Sequence, residues 1–370
     1  MDFVNEFLSA VSANPKGLAS ALGRHSHDDD DSTADNKQGL LRAVYWRFFS
    51  GLLNSSKPSG WLDQLNKNRE KYTQRRDELM KDPSKNEDLD LDTCNPLSME
   101  DDNPYQEFYK VQQLVEEIDI DLDRCGIEGV PDDLFQRDDV LQMMRHVLAM
   151  WATDNPDTEY RQGMHEVLGA VVWSLLPLKQ HAKDAKISSS KFADLIQAMT
   201  TDDQIEADAH FIFSYIFKDL QKIYRVQTDA ERKAQLAKIK AAAKLSAGSG
   251  IGDVTSDLSM KAPLQAVCET VQNRLVLAID RKLYDRLCQF NVVPTIYVMK
   301  WARLLFLRDF PIHQSMVVWD FFFWELQSGA ELLRLIENMA TSMVFYNRPY
   351  LMQPRVRSAL TLFCLVWYAS

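Results

Sequence analysis

Apolar residues along the chain recur at helical rather than strand spacing. Val140, Met143, Met144, Val147, Leu148 and Trp151 follow one another at i, i+3, i+4, i+7, i+8 and i+11. Met164, Val167, Leu168, Val171, Val172 and Leu175 repeat that spacing. Each run predicts an amphipathic helix, because 3.6 residues per turn gathers these positions into one stripe. Asp154-Asn155-Pro156-Asp157 between them is a turn, so the two helices are expected to pack as an antiparallel pair. The same reading predicts helices over 40–53, 61–80 and 107–124, the last stopped by Gly126 and Pro131. Residues 209–224 are apolar nearly all round, which predicts a buried central helix. Residues 262–345 are helical in pattern again and close on the block Trp319-Asp320-Phe321-Phe322-Phe323-Trp324. Only 290–299 is ambiguous between helix and strand, and Pro294 interrupts it. No period of about 20 to 50 residues suggests a solenoid. The fold class expected is all-α.

Polar stretches mark the domain limits. Residues 1–12 form a candidate amphipathic helix with Phe3, Phe7, Leu8 and Val11 on one side. His25-Ser26-His27 and the aspartates at 28–31 follow, and residues 1–38 read together as a disordered acidic tail. The main domain is expected over 39–348, with an N-terminal half at about 39–200 and a C-terminal half at about 201–348. Residues 225–262 read as a flexible insertion, charged at first and then rich in Gly and Ser. Its Gly248-x-Gly250-x-Gly252 has no strand before it and no Lys-Ser/Thr after it, so it is not read as a phosphate loop. Residues 349–370 are expected to add a C-terminal helical extension.

Composition narrows the function classes. The chain has 370 residues, enough for a sizeable core, and its formal charge is −11. That balance disfavours nonspecific nucleic-acid binding, which depends on clustered Lys and Arg. The five cysteines (Cys94, Cys125, Cys268, Cys288, Cys364) are scattered, with no CxxC pair. Neither a zinc site nor a disulfide framework is expected, and the reading is of reduced cytoplasmic thiols. The N-terminus lacks the pattern of a signal peptide, and Asp2 rules out N-myristoylation. The apolar run at 359–367 falls well short of the ~20 residues a membrane span needs.

Three constellations carry candidate chemistry. Arg42 and Trp46 are one helical turn apart, where a guanidinium can lie against an indole. Ile118, Asp121 and Arg124 are spaced by three at a predicted helix C-terminus. Tyr160-Arg161-Gln162-Gly163-Met164 opens the second amphipathic helix, with a glycine that allows close backbone approach. Taken singly, Arg124 would be a helix-end cation capping carbonyls and Gln162 a surface amide. Trp46, Trp301 and Trp319 read as core, and His165 reads as structural, since no carboxylate partner is evident in the sequence.

In this order, the three resemble the RxxxW, IxxDxxR and YxQGM motifs of the TBC-domain Rab GTPase-activating proteins. Downstream, Glu206-x-Asp208-Ala209, Pro294-x-x-Tyr297, Trp301-x-x-x-x-Phe306, Phe310-Pro311 and Val318-Trp319-Asp320 continue the likeness. Asn95-Pro96-Leu97-Ser98 and Gln162-Gly163-Met164-His165-Glu166 are similar to the family's member-5 subgroup. The resemblance spans about 39–348 and implies a TBC fold of two helical subdomains. It implies Arg124 as an arginine finger and Gln162 as a glutamine finger, both lent to a Rab small GTPase. Asp121, Tyr160, Gly163, Met164, Arg42 and Trp46 would support them or touch the Rab. GTP and Mg2+ would be carried by the Rab, leaving this chain with no cofactor and no metal of its own. The member-5 likeness further implies a cytoplasmic protein held peripherally on endosomal membranes, with a retromer-type complex as a further partner. Cys125 stands where the family usually has threonine, and Gly126 also departs from its pattern. Two alternatives stay open: a TBC-fold module that binds a Rab or trafficking complex without catalysis, and a helical scaffold unrelated to GTPases.

Overall fold

The computed structural model describes residues 2–13, 32–54, 58–85, 103–180, 192–200, 202–224 and 263–353, and every regular element among them is helical. In chain order these are α1 (Asp2–Ala13), α2 (Ser32–Phe49), α3 (Trp61–Leu79), α4 (Pro104–Leu122), α5 (Asp138–Asp154), α6 (Met164–Gln180), α7 (Ala193–Thr200) and α8 (Asp202–Tyr224). They are followed by α9 (Pro263–Glu269), α10 (Arg281–Gln289), α11 (Val298–Leu304), α12 (Ile312–Gln327), α13 (Leu332–Tyr346) and α14 (Arg348–Leu351). The ambiguous run at 290–299 holds a 3-10 turn (Pro294–Ile296) and the start of α11. Among the described residues, no helix is long and apolar enough to cross a membrane. The 225–262 insertion, Asn95-Pro96-Leu97-Ser98, Cys94, Cys364 and the run at 359–367 lie outside the described residues.

The chain forms two compact units. The first comprises Met1–Pro156, Tyr160–Lys218 and Pro311–Gly329; the second comprises Asp157–Glu159, Asp219–Phe310 and Ala330–Ser370. The halves are therefore not the consecutive stretches expected from the sequence, because α12 returns to the first unit. The aromatic block explains the return: Trp319 stacks on Trp46 with centroids 6.0 Å apart, and Phe323 meets Trp46 edge-on at 4.9 Å.

Within the first unit α6 is the central helix. Every residue from Met164 to Val172 is buried, including His165 and Glu166. The one-stripe expectation for α6 is corrected here, since its small Gly169 and Ala170 let neighbours close over the other side. Phe135 Cε1 lies 3.0 Å from where a Cβ on Gly169 would stand, and Ile127 Cδ1 lies 3.2 Å from it. Conversely α8, expected to be buried all round, exposes Lys218 and half-buries Phe211, Ser214 and Tyr215. At the N-terminus the amphipathic helix forms: Val4, Phe7, Leu8 and Val11 of α1 are fully buried. Phe7 sits edge-on to Tyr45 and Phe48, at 6.4 and 6.2 Å. The tail expected over 1–38 is corrected in part, since residues 2–13 and 32–38 are helical; residues 14–31 lie outside the described residues.

A buried ion cluster pins the first unit. Asp208 accepts from Arg47 Nε at 2.7 Å and from Arg69 Nε and Nη2 at 2.8 and 2.7 Å. Asp208 and Arg47 are wholly buried and Arg69 nearly so. Remaining guanidinium donors reach the carbonyls of Ala43, Met199 and Ala198, so the charges are both paired and hydrogen-bonded. In the second unit, α9 runs into a π-helical stretch (Thr270–Val276) that buries Gln272. Its amide donates to the Val292 carbonyl at 3.0 Å and accepts from the Tyr297 hydroxyl at 2.8 Å.

Candidate functional site

The Arg124 segment is built from the start of α4 onward. Asn103 caps that helix, its side chain accepting from the Tyr105 N–H at 3.1 Å, and Pro104 occupies the first helical position. The helix ends at Leu122, two residues before the expected end. Arg124 lies in the turn that follows, its N–H donating to the Asp121 carbonyl at 3.2 Å. Ile118 and Leu122 are buried, Asp121 is half-buried and Arg124 is exposed. The spacing by three thus anchors one end of the motif in the core and leaves the last residue outside. Among the described residues the Arg124 guanidinium has no hydrogen-bond or ion-pair partner, so the carbonyl-capping role is not taken up.

Gln162 occupies a short loop of unusual backbone. Helix α6 starts at Met164, four residues later than the Tyr160 start expected. Glu159 (φ 57°) and Gly163 (φ 99°) bracket the loop in the left-handed region, which Gly163 occupies without steric cost. The Gly163 carbonyl accepts from the N–H groups of Glu166 and Val167, at 3.2 and 3.4 Å, and so begins the helix. Tyr160 and Met164 point inward, 2% and 0% exposed, while Gln162 is exposed with no side-chain partner among the described residues.

The two segments meet beneath these exposed residues. The Tyr160 hydroxyl donates to Asp121 Oδ2 at 2.7 Å and lies 3.1 Å from His165 Nδ1. His165 Nδ1 is 3.7 Å from Asp121 Oδ2, and its Nε2 is 3.8 Å from Glu166 Oε1. Burial, with the hydrogen bond to Asp121, holds the Tyr160 phenol well above its ordinary range, so it stays a donor. Burial, with Glu166 and Asp121 nearby, pushes the Cys125 thiol up to about 12, so it stays protonated and is no nucleophile. Sequence reading gave His165 no carboxylate partner; the structure gives it Asp121 from α4 and Glu166 from its own helix. The signal available was the run of two polar residues inside an otherwise apolar helix start.

Arg42 and Trp46 are placed otherwise. Both converge on Asp320 of α12: Arg42 Nη2 donates to Oδ2 at 2.9 Å, and Trp46 Nε1 donates to Oδ1 at 2.7 Å. Burial works to lower the Arg42 guanidinium, and Asp320 more than offsets it, holding it above its ordinary value. These residues pin α2 to α12 and are buried, unlike Arg124 and Gln162. Met164, fully buried, is core rather than contact surface.

The sequence pattern of the Rab-GTPase-TBC domain matches residues 40–237 and 255–352. The chain is 26% identical to mouse TBC1 domain family member 5 over 333 residues, covering 88% of this chain and 38% of the mouse protein. The human protein of that name is likewise 26% identical, over 335 residues, 88% of this chain and 39% of the relative. The chain therefore spans about two fifths of the length of these curated relatives. In structure it is similar to the Ypt/Rab-GAP domain of Gyp1p, with a TM-score of 0.56 over 90% of this chain and 84% of that one, at 16% identity. With the family pattern covering most of its length and the same all-helical fold around it, the chain belongs to the Rab-GTPase-TBC domain family.

Proposed function

We infer that the protein accelerates GTP hydrolysis on a Rab-type small GTPase, with Arg124 as arginine finger and Gln162 as glutamine finger. One observation carries this: Arg124 and Gln162 are exposed and unpartnered among the described residues, while Asp121, Tyr160 and His165 beneath them are interlocked. An exposed guanidinium with no partner among the described residues is free to enter another protein's pocket, and Arg stays charged at any working pH. There it neutralises charge developing on the transferring phosphoryl, an effect worth about 10³ to 10⁵ in rate. The Gln162 carboxamide accepts from the attacking water and donates to phosphate oxygen, holding the two in line. GTP and its magnesium ion arrive with the GTPase.

The likeness to family member 5 supports a further part of the proposal: action on endosomal membranes reached through protein partners, with a retromer-type complex among them. The test is hydrolysis by a panel of purified Rabs with and without the protein. Acceleration of one or a few Rabs is expected. Binding of a GTP-loaded Rab without acceleration of any would replace this reading with that of a non-catalytic binding module.

A further inference from the structure

The Tyr160 hydroxyl has two polar neighbours and only one proton. Asp121 Oδ2, at 2.7 Å, belongs to a carboxylate, which only accepts. The phenolic proton is therefore committed to Asp121, and the contact of 3.1 Å to His165 requires Nδ1 to donate. Both the neutral Nδ1–H tautomer and the imidazolium meet that requirement. His165 is 5% exposed, so water competes little for the phenolic oxygen.

We propose that His165 is a positioning residue: its Nδ1–H completes a His165–Tyr160–Asp121 chain that fixes the Gln162 loop against the end of the helix bearing Arg124. The chain links residues far apart in sequence, since Asp121 closes α4 and His165 opens α6. Tyr160 is two residues before Gln162, and Asp121 is three before Arg124, so slack in this chain reaches both exposed groups through short segments. The titratable groups around His165 are Asp121, Tyr160 and Glu166, with Cys125 close to Asp121 and Glu166. An apolar side chain at 165 would leave the phenolic oxygen without its donor. Asparagine would restore one, its amide nitrogen standing near the place of Nδ1. The consequence for catalysis rests on the function proposed above; the positioning does not.

The experiment uses the full chain and follows hydrogen exchange at the Arg124, Cys125 and Met164 amides, which donate across the two turns at 3.2, 3.0 and 3.1 Å. Wild type is compared with His165→Leu, His165→Asn, Tyr160→Phe and the Tyr160→Phe/His165→Leu double variant. His165→Leu is expected to speed exchange about threefold to tenfold, the range for losing one hydrogen bond. His165→Asn should restore most of the protection, and the double variant should not exceed Tyr160→Phe, which already removes both links of the chain. On a Rab that wild type accelerates, His165→Leu should lower kcat by a similar factor with KM unchanged. Exchange that is unchanged in His165→Leu, or that multiplies in the double variant, would overturn the proposal. If wild type accelerates no Rab, the functional reading falls while the exchange data still decide the positioning. If His165→Leu does not fold, imidazole 15N shifts of wild type decide instead: a protonated Nδ1 is expected, and a bare Nδ1 with protonated Nε2 contradicts it.

Discussion

Arg124 and Gln162 differ from their neighbours in what holds them. Each is two or three residues from an interlocked side chain, buried Tyr160 or half-buried Asp121, and neither has a side-chain partner of its own among the described residues. Cys125 shows how local this is: one residue past Arg124, its thiol is kept protonated by burial and by the charges of Glu166 and Asp121 nearby. Cys268 is also pushed up to about 12 by burial, whereas Cys288 is exposed. Of these three thiols, Cys288 is therefore expected to react first with iodoacetamide at pH 8, with Cys125 and Cys268 lagging at least tenfold by mass spectrometry of the labelled peptides. Equal labelling of Cys125 would mean that the turn after Arg124 opens freely to solvent.

Between elements, the contact that matters most for the exposed pair is the approach of the 125–135 loop to α6 at Gly169. Phe135 and Ile127 come so near that an added Cβ has no room without a shift of the ring. Gly169→Ala is expected to destabilise by about 1 to 3 kcal/mol through overpacking, measured by urea unfolding. Displacement of this loop, which follows directly on Arg124, should lower GTPase acceleration with it; a neutral effect would show that Phe135 gives way cheaply. The helices themselves were legible, because α4, α5 and α6 each carry a clear 3.6-residue pattern. Arg124 and Gln162 were picked out as candidates by their motifs, and the structure leaves both exposed. What was not legible is pairing across distance. Asp121 with Tyr160 and His165, and Asp320 with Arg42 and Trp46, join residues whose separation has no periodicity to reveal it. The beginning of α6 misled for a related reason: polar His165 and Glu166 give the pattern of a solvated face, yet tertiary partners bury both.

At the scale of the first unit, stability leans on buried charge. Asp208→Asn would leave Arg47 and Arg69 buried without the carboxylate they share, facing only neutral acceptors, and about 3 to 5 kcal/mol should be lost in denaturant unfolding. A loss under 1 kcal/mol would show that water reaches the cluster. His210 supplies a pH dependence of definite sign. Burial lowers its imidazole from 6.5 to about 4, against the opposing pull of Asp154 and Glu206, and its Nδ1 has no hydrogen-bond partner among the described residues. Between pH 6.5 and about 4 the unfolded chain holds this proton and the folded one does not, so stability falls as pH falls through that window. Glu206 acts in the same direction: burial tends to raise it, but His146, Tyr72 and Arg76 hold it below its ordinary value, and its contribution is lost as pH drops below the ordinary value and through the lowered one. His210→Phe, which keeps a ring beside Tyr72, should flatten the slope of unfolding free energy by about one proton over the His210 window. An unchanged slope would place the titration elsewhere.

The central claim is that two exposed side chains of this chain complete another protein's active site. Single-turnover GTP hydrolysis on a responsive Rab, with wild type, Arg124→Ala, Arg124→Lys and Gln162→Ala side by side, tests it most directly. Each substitution is expected to reduce acceleration by about 10² or more while circular dichroism and thermal midpoint stay at wild-type values. Lysine should not rescue, because it lacks the planar fork. Wild-type acceleration in Arg124→Ala or in Gln162→Ala, from folded protein, would contradict the account.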